Sequence, residues 1–133
     1  MAKRYIRVAH GRYDFAVHGG AISTITLSDA FGQSSLPANA IILGGTIDII
    51  TTLTSGGAAT IALGTSAGSS TTSLKGATAV ATWTAGQLAA VPIFTAATYV
   101  KLTAAGSLTA TIAAVALTAG VFEIHVLYVV STQ

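Results

Sequence analysis

Hydrophobic positions in this chain recur with a period of two. In "YDFAV", Tyr13, Phe15 and Val17 share one side, with Asp14 and Ala16 on the other. In "TIDIITTLT", Ile47, Ile49 and Leu53 fall on one side, and Thr46, Asp48, Thr52 and Thr54 fall opposite. The longest case is "VFEIHVLYVVS", where Phe122, Ile124, Val126, Tyr128 and Val130 alternate with positions that include Glu123, His125 and Ser131. Successive side chains of a strand point to opposite faces, so each of these segments reads as a strand with one buried face. Shorter candidates at residues 22–27, 58–63, 77–83, 98–103 and 108–115 bring the expected set to about eight strands.

Turn signals separate them: Gly19-Gly20, Gly44-Gly45, Ser55-Gly56-Gly57, Ala85-Gly86, Ala105-Gly106 and Ala119-Gly120. Residues 64–73, "GTSAGSSTTS", have no apolar periodicity and read as an exposed loop. Pro37 and Pro92 each stand just before a candidate strand, where a residue without an N–H is tolerated. No segment carries an apolar stripe at three-and-four spacing, and Thr, Ile and Val are abundant. The expected fold is therefore all-β, a two-sheet sandwich of jelly-roll or similar Greek-key topology. "LTSGGAATIALG" echoes "LTAAGSLTATIAA", and "TWTAGQ" echoes "ALTAGVF". The spacing is not constant, so two similar half-sandwiches or a biased composition account for the echo, and a solenoid does not.

Composition changes this picture in two ways. The 133 residues suit one domain, but only 8% are charged, against roughly 25% in an average soluble protein. So little charge favours association, and a homo- or hetero-assembly is expected. The charge present is also uneven. Lys3, Arg4, Arg7 and Arg12 face only Asp14 in the first fourteen residues, whereas the remainder is nearly neutral. Residues 1–12 accordingly read as a basic arm ahead of a single sandwich domain at residues 13–133, able to meet an acidic protein surface or add to a neighbour's sheet edge. Phosphates are the lesser option, because four cations neutralise too few of them for specific binding.

Residues 102–122 carry no charge, which is length enough for a membrane span. They are rich in Thr, Ser, Gly and Ala and poor in large apolar side chains, so no membrane segment is expected. No apolar stretch follows the basic start, so no secretory signal is read and synthesis in the cytoplasm is expected.

Chemistry is sparse. The chain has no cysteine, and its histidines, His10, His18 and His125, form no paired ligand motif. Asp14, Asp29, Asp48 and Glu123 are dispersed, as turn or solvent-side residues would be. No GxSxG elbow or P-loop is present. No catalytic residue, cofactor or metal is expected, and the protein does not read as an enzyme. Trp83 reads first as a core residue and second, with the loop at residues 65–73, as a platform for a glycan.

The runs "LPANAIILGGTIDIITTLTSGGAATIALGT", "LKGATAVATWTAG" and "VPIFTAATYVKLTAAGSLTATIAAVALTAGVFEIHVLYVVS" resemble small bacteriophage virion structural proteins of the head decoration, or cement, type. The resemblance spans residues 13–131 and rests on the "TSGGAATIALG" hairpin, the "LTAG" turn and the terminal "YVVS" strand. It implies a non-enzymatic protein made in the host bacterial cytoplasm and carried on the virion head surface. There it would bind the major capsid protein and itself, as a homo-oligomer (dimer or trimer), and so stabilise the shell. On that reading Lys3, Arg4, Tyr5, Arg7 and Arg12 are the expected contacts with the capsid partner. A tail, neck, baseplate or fibre component is the alternative within virions, and a glycan-binding surface module the alternative outside that class.

Overall fold

The computed structural model describes residues 5–27, 34–66, 72–89 and 101–131. Nine strands lie among the described residues: β1 Arg7–Asp14, β2 Ser23–Thr26, β3 Ser35–Leu36, β4 Ala40–Ser55, β5 Thr60–Thr65, β6 Lys75–Ala79, β7 Gly86–Ala89, β8 Gly106–Ala113 and β9 Leu117–Val130. They form two antiparallel sheets. One runs β1-β9-β4-β7 and the other β2-β8-β5-β6, with β3 also paired to β8. The expected all-β, two-sheet sandwich is what the chain forms.

Alternation decides which residues lie between the sheets. On β9, Phe122, Ile124 and Val126 are wholly buried and Tyr128 nearly so, while the residues between them reach the outer side. Tyr13 of β1 and Ile47 and Ile49 of β4 complete this inner face. Ile61 and Leu63 of β5 and Leu108, Ala110 and Ile112 of β8 oppose them from the second sheet. Burial of a large aliphatic side chain stabilises by about 1.5–3 kcal/mol, so these two facing rows supply most of the cohesion. Trp83 enters the same core, its ring 5.1 Å from that of Phe122, and its carbonyl accepts a 3.0 Å bond from Leu53 N–H.

Several local expectations are corrected. "YDFAV" alternates but is not one strand. β1 starts earlier, at Arg7, and ends at Asp14, where the Asp14 side chain accepts a 2.9 Å bond from Ala16 N–H and caps the short helix α1, Phe15–His18. Gly44-Gly45 is not a turn. β4 runs straight through it with a register shift between Ile42 and Gly44 against β9, and this bulge explains why Ile42 and Ile47 are both buried although their separation is odd. Ala119-Gly120 likewise lies within β9. Ala77–Ala79 is strand, but residues 80–82 form a 3-10 turn that swings Trp83 inward.

Gly64 and Thr65, expected in a loop, end β5, and Thr65 is wholly buried. Residues 67–71 of that expected loop lie outside the described residues, as do Asp29, Pro92 and residues 98–100 of the strand expected at residues 98–103. Two elements not expected from the pattern, β3 and β7, are short. The echoing segments around β5 and β8 do not form separate halves; they pair directly, Ile61 opposite Ile112. The uncharged run at residues 102–122 forms β8, a turn and the first part of β9, and no helix among the described residues is long and apolar enough to cross a membrane.

Candidate functional site

With the inner face of the β1-β9-β4-β7 sheet filled by core, its outer face presents the chemistry. Register places Val8 opposite Leu127, His10 opposite His125, and Arg12 opposite Glu123. On the other side of β9, Thr46 stands opposite His125 and Asp48 opposite Glu123. The buried neighbours of these residues, Ala9, Ile124, Val126, Ile47 and Ile49, point to the core. Period-two geometry therefore sets the polar residues side by side on the far surface.

The middle of this face is an ionic cluster. Arg12 Nη1 donates to Glu123 Oε1 at 3.0 Å, and Arg12 Nη2 lies 3.8 Å from Asp14 Oδ2. His10 Nε2 is 3.6 Å from Glu123 Oε1, and His125 Nε2 is 4.0 Å from Glu123 Oε2. The two imidazoles lie across the strand pair with ring centroids 4.8 Å apart. All of these side chains are partly exposed, so water screens the pairs and each contributes no more than about 1 kcal/mol.

One end of the same face is apolar. Val8 and Leu127 are 49% and 38% exposed, and Tyr5 and Ile6, just before β1, are 59% and 58% exposed. Arg7 lays its guanidinium over the Tyr5 ring, 5.0 Å from its centroid, a cation–π contact of about 0.5–1 kcal/mol at an exposed site. Val8 and Leu127 thus form an exposed apolar pair on this face, whereas alternation turns Arg7, the register partner of buried Tyr128, to the opposite side of the strand.

The five residues expected to form the partner contact are thus not one arm. Arg7 and Arg12 belong to β1, which is bonded along its length to β9, so sheet begins well before residue 13. Tyr5 and Arg7 lie together at the start of β1, whereas Arg12 is engaged with Glu123 and Asp14 in the cluster. Lys3 and Arg4 lie outside the described residues. Trp83 is the core residue it first reads as: it is wholly buried, and the second reading, a glycan platform, fails because it presents no ring to solvent. The reading of the sequence missed His10, Glu123 and His125 as a group, because their proximity comes from strand pairing across 113 positions of chain. "EIH" itself was the available signal, two ligand-type residues on one face of a strand.

Tyr13, beneath this face, illustrates its other side. Burial pushes the Tyr13 phenol up to about 12, with the Asp14 carboxylate adding to the effect. Its hydroxyl donates a 2.6 Å bond to the Gly19 carbonyl and ties β1 to the end of α1.

No protein-family model matches the chain, and no curated protein matches it. Solved structures do share its fold. A chain from the cyanophage Pam1 capsid asymmetric unit is 22% identical, with a TM-score of 0.65 over 96% of this chain and 86% of that one. A chain from the capsid of Ralstonia phage GP4 is 20% identical, with a TM-score of 0.61 and the same coverages. A chain from the acid-stable capsid of Helicobacter pylori bacteriophage KHP30 is 9% identical, with a TM-score of 0.64 over 96% of this chain and 92% of that one. At such identities the likeness is one of fold, and it extends over nearly the whole length of each chain.

Proposed function

We propose that this protein is a non-enzymatic structural component of a phage virion, and that it decorates the head by binding the major capsid protein and stabilising the shell. The observation that carries this reading is the near full-length likeness of fold to chains from three phage capsid structures. Strand order supports it: leaving β3 aside, successive strands pass back and forth between the sheets except at β5 and β6, which are neighbours in one sheet. We read this winding as a jelly roll, a fold that recurs in viral capsids. The sparse charge of the chain supports a buried working position, since few ions need be stripped of water when subunits close around it.

The attachment surface in this reading is the apolar end of the β1-β9 face. Val8 and Leu127 supply its apolar area, and Tyr5, Ile6 and Arg7 lead into it along the chain, tyrosine and arginine being residue types that dominate interface energetics. Lys3 and Arg4, immediately ahead in sequence, extend the contact. Each copy binds modestly, and self-association into a dimer or trimer multiplies the contacts into avidity.

The test is to mix purified chain with heads that lack it and to locate it in a virion reconstruction. Co-sedimentation with heads that is weakened by removing residues 2–6, which leaves β1 whole, is the expected result. A deletion through residue 12 is unsuitable because it removes most of β1. Placement of the chain in the tail, neck or baseplate would overturn the head assignment. The glycan-binding alternative has lost its aromatic platform, because Trp83 lies in the core.

A further inference from the structure

Three ligand-type side chains, brought together by strand pairing, meet on the outer face of β1 and β9. The ligand atoms of His10, Glu123 and His125 all lie within 4.8 Å of one another. We propose that these three residues form a binding site for a divalent transition metal ion of the zinc class.

The donor set favours this over other cations. Two imidazoles and one carboxylate are a known complement for an open zinc site, with water in the fourth position. Magnesium and calcium prefer all-oxygen cages, which this cluster does not offer. Geometry requires only small movements. Donors around a tetrahedral ion with bonds of about 2.0–2.2 Å stand roughly 3.3 Å apart. Here His10 Nε2 and His125 Nε2 are 3.6 and 4.0 Å from the two oxygens of Glu123, so rotations of partly exposed side chains close the site. The backbone beneath them is held by the β1-β9 ladder, in which His10 pairs with His125 and Glu123 sits two residues along on the same face. Strand pairing therefore performs the pre-organisation.

Among the described residues of this face, Arg12 opposes a cation, through its 3.0 Å bond to Glu123 Oε1. Local charge offsets it. Asp14 shares the Arg12 guanidinium, and Asp48 is the register partner of Glu123 on β4, so one arginine faces three carboxylates on this face. A bound ion would join the edge strand β1 to β9 through side chains as well as backbone. This site does not depend on the proposed head location.

The test is a zinc titration of the untagged full chain by calorimetry, with cobalt(II) absorption reporting coordination. One ion per chain is expected, with affinity lowered at least about tenfold in each of His10→Ala and His125→Ala, the usual scale for loss of a binding group. The third histidine of the chain supplies the control, so His18→Ala should bind as the parent does. Magnesium and calcium should not compete. Imidazole resonances of His10 and His125, and not His18, should shift with zinc in the parent. This last measurement needs no variant to fold. Absence of binding at about 1 mM zinc, or binding unchanged when His10 and His125 are both replaced by Gln in a chain whose folding is confirmed by Trp83 fluorescence, would overturn the proposal.

Discussion

Substituting Gly120 by Ala tests how β4 and β9 are fitted together. Gly120 has a φ of 139°, a conformation that side-chain-bearing L residues rarely adopt. A Cβ placed there would stand 2.5 Å from Leu53 Cγ, 2.9 Å from Leu53 Cδ1 and 3.0 Å from Leu53 Cα. Leu53 is itself buried, so its side chain has no solvent-side escape. Backbone strain at such a position costs about 1–3 kcal/mol, and overpacking a filled core costs a further 1–3 kcal/mol or so. Together Gly120→Ala should lower stability by about 2–6 kcal/mol. For a domain of this size, at about 3–5 °C per kcal/mol, that corresponds to a fall of about 6–30 °C in Tm.

The assay is thermal and urea unfolding at fixed protomer concentration, followed through the single tryptophan, Trp83, which is wholly buried against Phe122. Leu53→Ala alone should cost about 2–5 kcal/mol. In the double variant the side-chain clash is gone, but the strain and the close approach to the Leu53 backbone remain. The two losses should therefore sum to about 1–3 kcal/mol less than additivity demands. A Gly120→Ala protein within about 0.5 kcal/mol of the parent, the range of an ordinary surface change, would refute both the backbone conformation and the placement of Leu53.

Other predictions address the core, the backbone, alkaline pH and the exposed patch. Trp83→Ala should destabilise by about 3–5 kcal/mol as a large core truncation, read by urea unfolding with circular dichroism. Ala114, held at a φ of 71° in the turn after β8, should gain up to about 1 kcal/mol on replacement by Gly, because the left-handed conformation is costly for alanine. Tyr13 carries a raised pKa in the folded state, so its contribution to stability is whole below the ordinary tyrosine pKa. That contribution is lost as pH climbs towards about 12. Tyr13→Phe should remove this alkaline component, and a tyrosinate absorbance titration should show a late step in the parent alone. Val8→Asp and Leu127→Asp should leave Tm within a few degrees of the parent, since both side chains are exposed. In sedimentation against heads the same variants should bind more weakly, and unchanged binding would remove the apolar end from the attachment surface.

How much was legible in the sequence follows from the range of the interactions involved. Burial of Phe122, Ile124, Val126 and Tyr128 was readable because a strand repeats every two residues and needs no partner to be recognised. Gly44-Gly45 and Ala119-Gly120 were misread as turns for a definite reason. Glycine is a turn signal only on average: here Gly44-Gly45 accompanies a register shift against β9, and Gly120 leaves room for the side chain of Leu53. Both depend on another strand. The same holds at the N-terminus, where basic composition suggested a free arm and β9 recruits Arg7–Asp14 as a sheet edge.

The sequence by itself determined the all-β class, the two-faced strands and the poverty of charge. These follow from local periodicity and composition, which survive without knowledge of pairing. Only the tertiary structure decided that Arg12 is held by Glu123 and Asp14, that Val8 and Leu127 stand opposite each other and exposed, and that His10, Glu123 and His125 converge. Each of those arrangements depends on the register between β1 and β9. Register is set by which apolar face must be buried, and a slip of one residue in β1 would turn His10 and Arg12 towards the core, away from Glu123 and His125.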